Sequence, residues 1–372
     1  MGKYGKKNSV DLNPLHYNIA LLGEGGIGKT TLCYELCDKL VGEDGYIHFN
    51  VGREDGASAI EGIVSEDIQD WAKLTEVIDD IIENKTTEYP NLQVVIWDTL
   101  DELIPLAEKE AIRIHNKKNP DKKTDTILSV AGGFGRGQDK AMDMILDAIW
   151  NLKNAGVNSI IVSHVKRSDV IDPLTQETYS KITADTQQRY FNAIKNKCHF
   201  IGLAYIDRNI VTEKTGRKDI KGKDIITNKV TSEARVISFR DDTYAVDSKS
   251  RFANIVDKIP FNVDAFIKAM QDAILAEKSK SGKSEAEIKK EQKARDDAAA
   301  KAAAEYSKSA KTNKIDLDRN EEIIAEIKSR FTDATEEVQS AVKSKMTEVG
   351  LKNFKDTEVP TASLEAVLAV LG

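Results

Sequence analysis

Short, fully apolar runs alternate with stretches of helical period along the first two thirds of the chain. Ile19 to Leu22 is one such run, and Leu32, Leu36 and Leu40 follow it at helical spacing. Gly45 to Val51 reads as a second strand, and Ile68 to Ile82 as an amphipathic helix carried by Trp71, Leu74, Ile78, Ile81 and Ile82. Leu92 to Trp97 and Ser159 to Val162 are β-rich runs that suit strands buried on both faces of a parallel sheet, and Ala141 to Leu152 between them has helical period. Strands alternating with helices predict a doubly wound, mostly parallel α/β sheet. Four later runs alternate between Gly, Lys and Asp: Phe200 to Ile206, Ile225 to Val230, Arg235 to Phe239 and Thr243 to Val246. They predict antiparallel strands that extend the sheet.

The rhythm is lost from Glu277 to Lys314, where Lys, Glu, Ala and Ser dominate and Ile288 is the sole large aliphatic residue, so a solvated helical linker is expected. Apolar periodicity returns from Ile315 to Gly372 (Ile323, Ile324, Ile327, Phe331; Val338, Val342, Met346, Val349; Leu364, Val367, Leu368, Leu371) and predicts about three bundled helices. The expected organisation is a tail over 1–14, an α/β core over 15–276, a charged linker over 277–314 and a small all-α domain over 315–372. Few contacts should cross the linker.

Chemistry enters at the first apolar run. It opens into Gly23-Glu24-Gly25-Gly26-Ile27-Gly28-Lys29-Thr30-Thr31, which fits the pattern G-x-x-x-x-G-K-[ST] in the strand–loop–helix context that pattern requires. The glycines let backbone N–H groups approach phosphate oxygens, and the following helix N-terminus favours negative charge. Lys29 is expected to reach the β- and γ-phosphates and the Thr30 hydroxyl to ligate Mg²⁺, so the chain reads as a P-loop NTPase with ATP and Mg²⁺ as ligands. A second element is Val94-Val95-Ile96-Trp97-Asp98-Thr99, a strand ending in an acid. Asp98 is expected beside the P-loop, orienting the metal's water shell; the bland alternative is a helix cap, since Asp-Thr-Leu-Asp-Glu resembles a helix start.

Composition narrows the class. With 54 basic and 61 acidic residues the net charge is −7, which argues against a broad basic face for duplex DNA but leaves room for local basic loops. No apolar stretch approaches the roughly 20 residues of a membrane span, and Met-Gly-Lys-Tyr-Gly-Lys-Lys has no signal-peptide apolar region, so a cytoplasmic protein with no membrane partner is expected. Cys33, Cys37 and Cys198 read as small buried hydrophobes; with no close C-x-x-C pair, a metal site using them and His199 is disfavoured.

Taken together, these motifs make residues 15–275 resemble the RecA-like ATPases of bacteriophages, including the Sak-type single-strand annealing ATPases. The resemblance is carried by the P-loop, Asp70-Trp71, Ile96-Trp97-Asp98-Thr99-Leu100-Asp101-Glu102, Ile160-Ile161-Val162-Ser163-His164, and Lys249-Ser-Arg251-Phe252 leading to Ile259-Pro260. Thr99 stands where AAA+ ATPases usually carry a second acid. The resemblance implies a carboxylate after the second strand that activates water, for which Glu54 is the choice and Asp55 the neighbour, although Arg-Glu-Asp-Gly also suits a solvated turn. It implies that Ser163 and His164 sense nucleotide state, against a strand-end pair satisfied by backbone. Lys249 and Arg251 resemble cations that reach a neighbouring subunit's phosphates in a homo-oligomer, against plain surface charges. A phage-encoded protein would work in the bacterial cytoplasm.

Two loops should lie at the carboxyl ends of the strands. One holds Lys117, Lys118, Lys122, Lys123, then Phe134 and Arg136 among glycines; the other holds Lys166, Arg167, Lys181, Arg189 and Tyr190. Cations with aromatics suit single-stranded DNA bound without sequence readout, while a lid is the alternative use of such loops. The expected function is ATP-driven single-strand binding with annealing or strand exchange, with a single-strand-binding protein as a further partner of residues 315–372. The competing class is a nucleotide-controlled switch, NB-ARC-like or partition-like, or a helicase loader. The NB-ARC reading lacks a double-Asp strand end, and the partition reading lacks a signature Lys where Glu24 stands.

Overall fold

The computed structural model describes residues 9–218, 224–240, 248–315, 317–354, 357 and 359–372. Its strands are β1 (Ile19–Gly23), β2 (Tyr46–Val51), β3 (Ser65–Ile68), β4 (Val94–Asp98), β5 (Asn158–Ile171), β6 (Thr178–Ala184), β7 (Phe200–Lys218), β8 (Asp224–Ser238), β9 (Lys249–Ser250) and β10 (Lys258–Pro260). Across the sheet the order is β10-β8-β7-β1-β5-β4-β2-β3, with β6 beside β5 and β9 beside β7. From β7 to β3 neighbours are parallel; β6, β8, β9 and β10 pair antiparallel.

Both faces of the sheet are covered, and strand alternation divides two cores. Ile19 and Leu21 of β1 pack with Leu32 and Leu36 of α1 (Lys29–Val41) and with Phe266 and Met270 of a later helix, Val263–Ser279. Ala20 and Leu22 face the other core, with residues of α2 (Trp71–Glu83), α3 (Leu100–Lys118), α4 (Arg136–Asn154) and α5 (Gln188–Lys197). The helix over Val263–Ser279 is α6. The expected α/β class holds, as a mostly parallel sheet with helices on both faces followed by a helical C-terminal region.

Several boundaries differ from the sequence reading for identifiable reasons. Ile68 ends the short strand β3, and α2 starts at Trp71 because the Asp70 side chain accepts from Lys73 N–H and caps it. The runs Ile225–Val230 and Arg235–Phe239 fall, up to Ser238, in one long strand, β8, joined to β7 through a register shift near Asn209 and Ile210. Thr243 to Val246 lies outside the described residues. The segment after His164 is not a loop: β5 continues through Lys166 and Arg167 and turns back as β6. The three cysteines are buried and unbonded to one another.

The charged stretch is helical and mostly exposed, and it also docks on the core. It forms α7 (Glu285–Asn313), whose capping box at Ser284 and Glu287 fixes its start. Gln292 accepts from Leu12 N–H at 3.1 Å and donates to Asp11 at 2.8 Å, and Arg295 lies 3.1 Å from the same carboxylate. Further along, Ser307 Oγ donates to the Ile82 carbonyl at 2.6 Å in buried surroundings, and Tyr306 reaches Asn151. Ala303 packs where small residues let helix approach backbone: a Cβ on Gly156 would lie 3.2 Å from its own. A helix poor in large apolar residues thus docks through alanines and polar pairs, which apolar periodicity does not register.

The tail helices α8 (Leu317–Asp333), α9 (Glu336–Glu348) and α10 (Thr361–Leu368) bury their own core around Ile323, Ile327, Val342 and Leu364. Ties from this bundle to the rest include Thr361 N–H to the Lys314 carbonyl at 2.8 Å and Lys117 to Glu321 at 3.6 Å, an exposed pair of little energetic weight. A chain ending at Lys314 should therefore melt with an unchanged core transition. One ending at Ser279 should lose at least about 5 °C, because it also loses α7's buried contacts. Calorimetry on both truncations checks this, and equal melting temperatures would refute the docked-strap account.

Candidate nucleotide site

β1 ends at Gly23 and the loop turns into α1 through Gly28, whose φ of +105° is a left-handed conformation that a side chain would strain. Gly26 is also left-handed, and a Cβ there would meet nothing within 4 Å, so its outer side is open. Lys29 folds back over the loop and donates to the carbonyls of Gly23 at 2.9 Å and Glu24 at 3.0 Å. It is almost wholly buried. Burial pulls its pKa down, against the opposing pull of Asp98, Asp101 and Glu54. A buried ammonium held by loop carbonyls and facing three acids suits an arriving polyphosphate.

The sheet order builds the rest. β5 lies between β1 and β4, and the parallel register sets Ser163 and His164 beside Leu22 and Gly23 on one side, with Asp98 beside Val162 on the other. Asp98 is buried and accepts from Thr30 Oγ1 at 2.7 Å. Burial raises its pKa, but the nearby His48, Thr30 and Lys29 outweigh that and hold it below the usual carboxylate range. His48, fully buried on β2, brings Nε2 to 3.3 Å from Asp98 Oδ2. Both His48 ring nitrogens and Thr99 Oγ1 have no hydrogen-bond partner among the described residues. Hydroxyl, carboxylate and unpartnered polar atoms in one place form a donor set that fits a hydrated Mg²⁺, with Thr30 and Asp98 to hold it.

Asp101, at the second position of α3, collects the strand end. Ser163 Oγ donates to it at 3.0 Å and His164 N–H at 2.7 Å, and His164 Nδ1 lies 3.2 Å away. The Asp101 contact raises the pKa of His164, against burial and the Lys29 charge. Residue types gave no sign of this hub, since Asp101 sat inside a helix-start pattern.

Glu54 comes from the turn after β2. Gly52, at φ +67°, lets that turn approach α3: a Cβ there would fall 2.5 Å from Glu102 Oε2. Glu54 is half-buried while Asp55 is exposed. A Cβ on Gly56 would lie 3.1 Å from Thr30 Oγ1 and 3.7 Å from Glu54 Oε1, so both oxygens flank the same gap. Burial, reinforced by Asp98 and Glu102, raises the pKa of Glu54. The geometry suits a base at Glu54 better than at Asp55.

The remaining sites spread differently. Lys122 ends a short helical turn after α3, and Arg136 opens α4. Phe134, at φ +55°, is 95 % exposed on the glycine loop, which is an unusual display of a large ring. Lys123 is exposed nearby. Lys166 and Arg167 are exposed on the β5–β6 hairpin, Lys166 pairing with Asp185 at 3.3 Å. Tyr190, by contrast, is buried on α5 and hydrogen-bonds Glu108, so its ring is not displayed for stacking, while Arg189 on the same helix is exposed and pairs with Asp139 at 2.8 Å. Lys117 and Lys118 lie in the last turn of α3.

Lys249 and Arg251 lie apart from this chain's own P-loop. β9 pairs with Phe200 and Ile201, at the end of β7 far from Ala204, the partner of Gly23. There Lys249 donates to the Lys195 carbonyl at 2.8 Å and Arg251 to that of Asn196 at 2.5 Å, where cations complement the C-terminal end of α5. The cation beside the loop is Arg235 of β8, 3.3 Å from the Ile27 carbonyl.

A glycine loop closed by a buried lysine, a metal-type Thr–Asp pair and a polar strand end between them define a P-loop NTPase. Residues 15–252 match the AAA domain family, to which the chain belongs. Solved structures with similarity include a KaiC-like protein, PH0186, from Pyrococcus horikoshii OT3, at 14 % identity and TM-score 0.34, over 67 % of this chain and 86 % of that one. Another is the flagellar accessory protein FlaH from Methanocaldococcus jannaschii, at 10 % identity and TM-score 0.28, over 62 % and 88 %. No curated protein matches the chain. No described helix is long and apolar enough to cross a membrane.

Proposed function

We propose that the protein hydrolyses ATP with Mg²⁺ and uses the cycle to handle single-stranded DNA in annealing or strand exchange. The observation that carries the hydrolytic part is the convergence of Lys29, Thr30, Asp98 and Glu54 around one loop, with burial raising the pKa of Glu54. In this reading Thr30 and Asp98 hold the cation, which supplies charge neutralisation on phosphate oxygens. Lys29 binds the β- and γ-oxygens, Glu54 takes a proton from the attacking water, and the Ser163–His164–Asp101 cluster answers to the phosphate's presence.

The DNA part is favoured by continuity. His164 leads directly into the hairpin that carries Lys166 and Arg167, so movement at the strand end has a short covalent path to two exposed cations. Phe134 offers a ring on a separate loop, and ring stacking with phosphate-pairing cations is how single strands are held without sequence readout. Replacing Lys166 and Arg167 with Ala should weaken binding of a labelled oligonucleotide and reduce its log–log salt slope by about 1.4, two phosphate contacts' worth. It should also cut any DNA-stimulated turnover. Salt-titrated fluorescence anisotropy reads the first two effects. Unchanged affinity and slope would remove the hairpin from the DNA surface, and turnover indifferent to single strands would favour the nucleotide-switch reading.

A further inference from the structure

The cation ligands fix which way a nucleotide runs along the P-loop. Thr30, Asp98 and Glu54 lie toward β4 and β2, so the γ end of a triphosphate belongs there. The nucleoside must then leave on the opposite side, over β7 and β8. Two side chains there have no part in the chemistry described above. The Arg235 guanidinium lies 5.7 Å from the centroid of the Phe261 ring, and Phe261 N–H donates to the Arg235 carbonyl at 3.0 Å, which ties the turn after β10 to β8. The pair abuts the loop: a Cβ on Gly28 would sit 3.4 Å from Phe261 Cε1 and 3.8 Å from Arg235 Nη1, and that same nitrogen donates to the Ile27 carbonyl. Arg235 is exposed and Phe261 half-buried, so the pair is accessible from outside.

Resting on the nucleotide-site reading above, we infer that Arg235 and Phe261 form the wall on which the nucleotide's base stacks, and that they set a preference for purines. A planar guanidinium backed by a ring presents a flat, weakly hydrated surface suited to a heterocycle, and a purine covers more of it than a pyrimidine. An ammonium could not present that surface, although it would carry the same charge. The proximity to Gly28 also gives that position a packing reason to lack a side chain, beyond its left-handed backbone.

The test is isothermal titration of the full chain with Mg²⁺ and ATP, UTP or inorganic tripolyphosphate, comparing wild type with Phe261→Leu and Arg235→Lys. Leucine keeps apolar volume at a half-buried position and lysine keeps the charge, so both variants isolate stacking; thermal melts confirm that they fold. Each should bind ATP about tenfold more weakly, the scale of one lost stacking contact, while tripolyphosphate affinity stays unchanged and the ATP preference over UTP collapses. Equal losses for ATP and tripolyphosphate would mean the pair only braces the loop, and unchanged ATP affinity would mean the base lies elsewhere. Either result overturns the base wall while leaving the nucleotide site intact. If Lys29→Ala binds tripolyphosphate as well as wild type does, the site reading itself fails instead.

Discussion

Lys29→Ala should abolish measurable ATP turnover, at least about a 1,000-fold loss on the scale of removed transition-state charge stabilisation, while the protein still folds. The ammonium is buried yet its bonds run to two loop carbonyls, Gly23 and Glu24, not to the apolar cores on either face of the sheet. Alanine would leave those carbonyls without this donor, the Gly23 one in buried surroundings and the Glu24 one partly exposed, a loss confined to the loop. Burial draws its pKa down against the pull of Asp98, Asp101 and Glu54, so desolvation is the main cost of holding the ammonium there. Phosphate oxygens would relieve that cost. Coupled-enzyme turnover and a thermal melt, run together, decide the matter. Undiminished turnover in a folded variant would remove the P-loop from the chemistry.

The parts of this site that the sequence displays are those whose chemistry depends on residues adjacent in the chain. The P-loop is contiguous, so its glycines, Lys29 and Thr30 announce themselves, and Asp98 stands out as an acid closing an apolar strand. His48, Asp101 and Arg235 come from three separate elements and converge only because β5 lies between β1 and β4 and β8 lies beyond β7. No local pattern marks His48 or Arg235, and Asp101 stood inside the run that follows Asp98 with no role of its own. Register likewise sets Lys249 and Arg251 beside Phe200 and Ile201 at the start of β7, where they rest on the carbonyls of α5. Helix α7 escaped for another reason. Hydrophobic periodicity reads large side chains, and α7 docks with Ala303, Ser307 and polar pairs to Asp11.

Glu54→Gln should keep nucleotide affinity but slow hydrolysis by at least about 100-fold, the scale of a lost general base. Glutamine preserves shape in the turn after β2, so Gly52 and its close approach to Glu102 are undisturbed. What it removes is a proton acceptor whose pKa burial, Asp98 and Glu102 hold above the usual glutamate range. The sign follows directly. A base works only when ionised, so wild-type kcat/KM should fall as pH drops through the raised Glu54 pKa of the free protein, starting at a higher pH than an ordinary glutamate would allow. Burial lifting Glu54 while His48, Thr30 and Lys29 hold Asp98 down separates the two carboxylates, so the cation ligand stays charged where the base begins to protonate. The acid limb should therefore vanish from the residual activity of Glu54→Gln, and Asp55→Asn, altering an exposed neighbour, should leave both rate and profile unchanged. Single-turnover rates across pH for the two variants separate the possibilities. A slow Asp55→Asn with an intact limb in Glu54→Gln would move the base one residue along the turn.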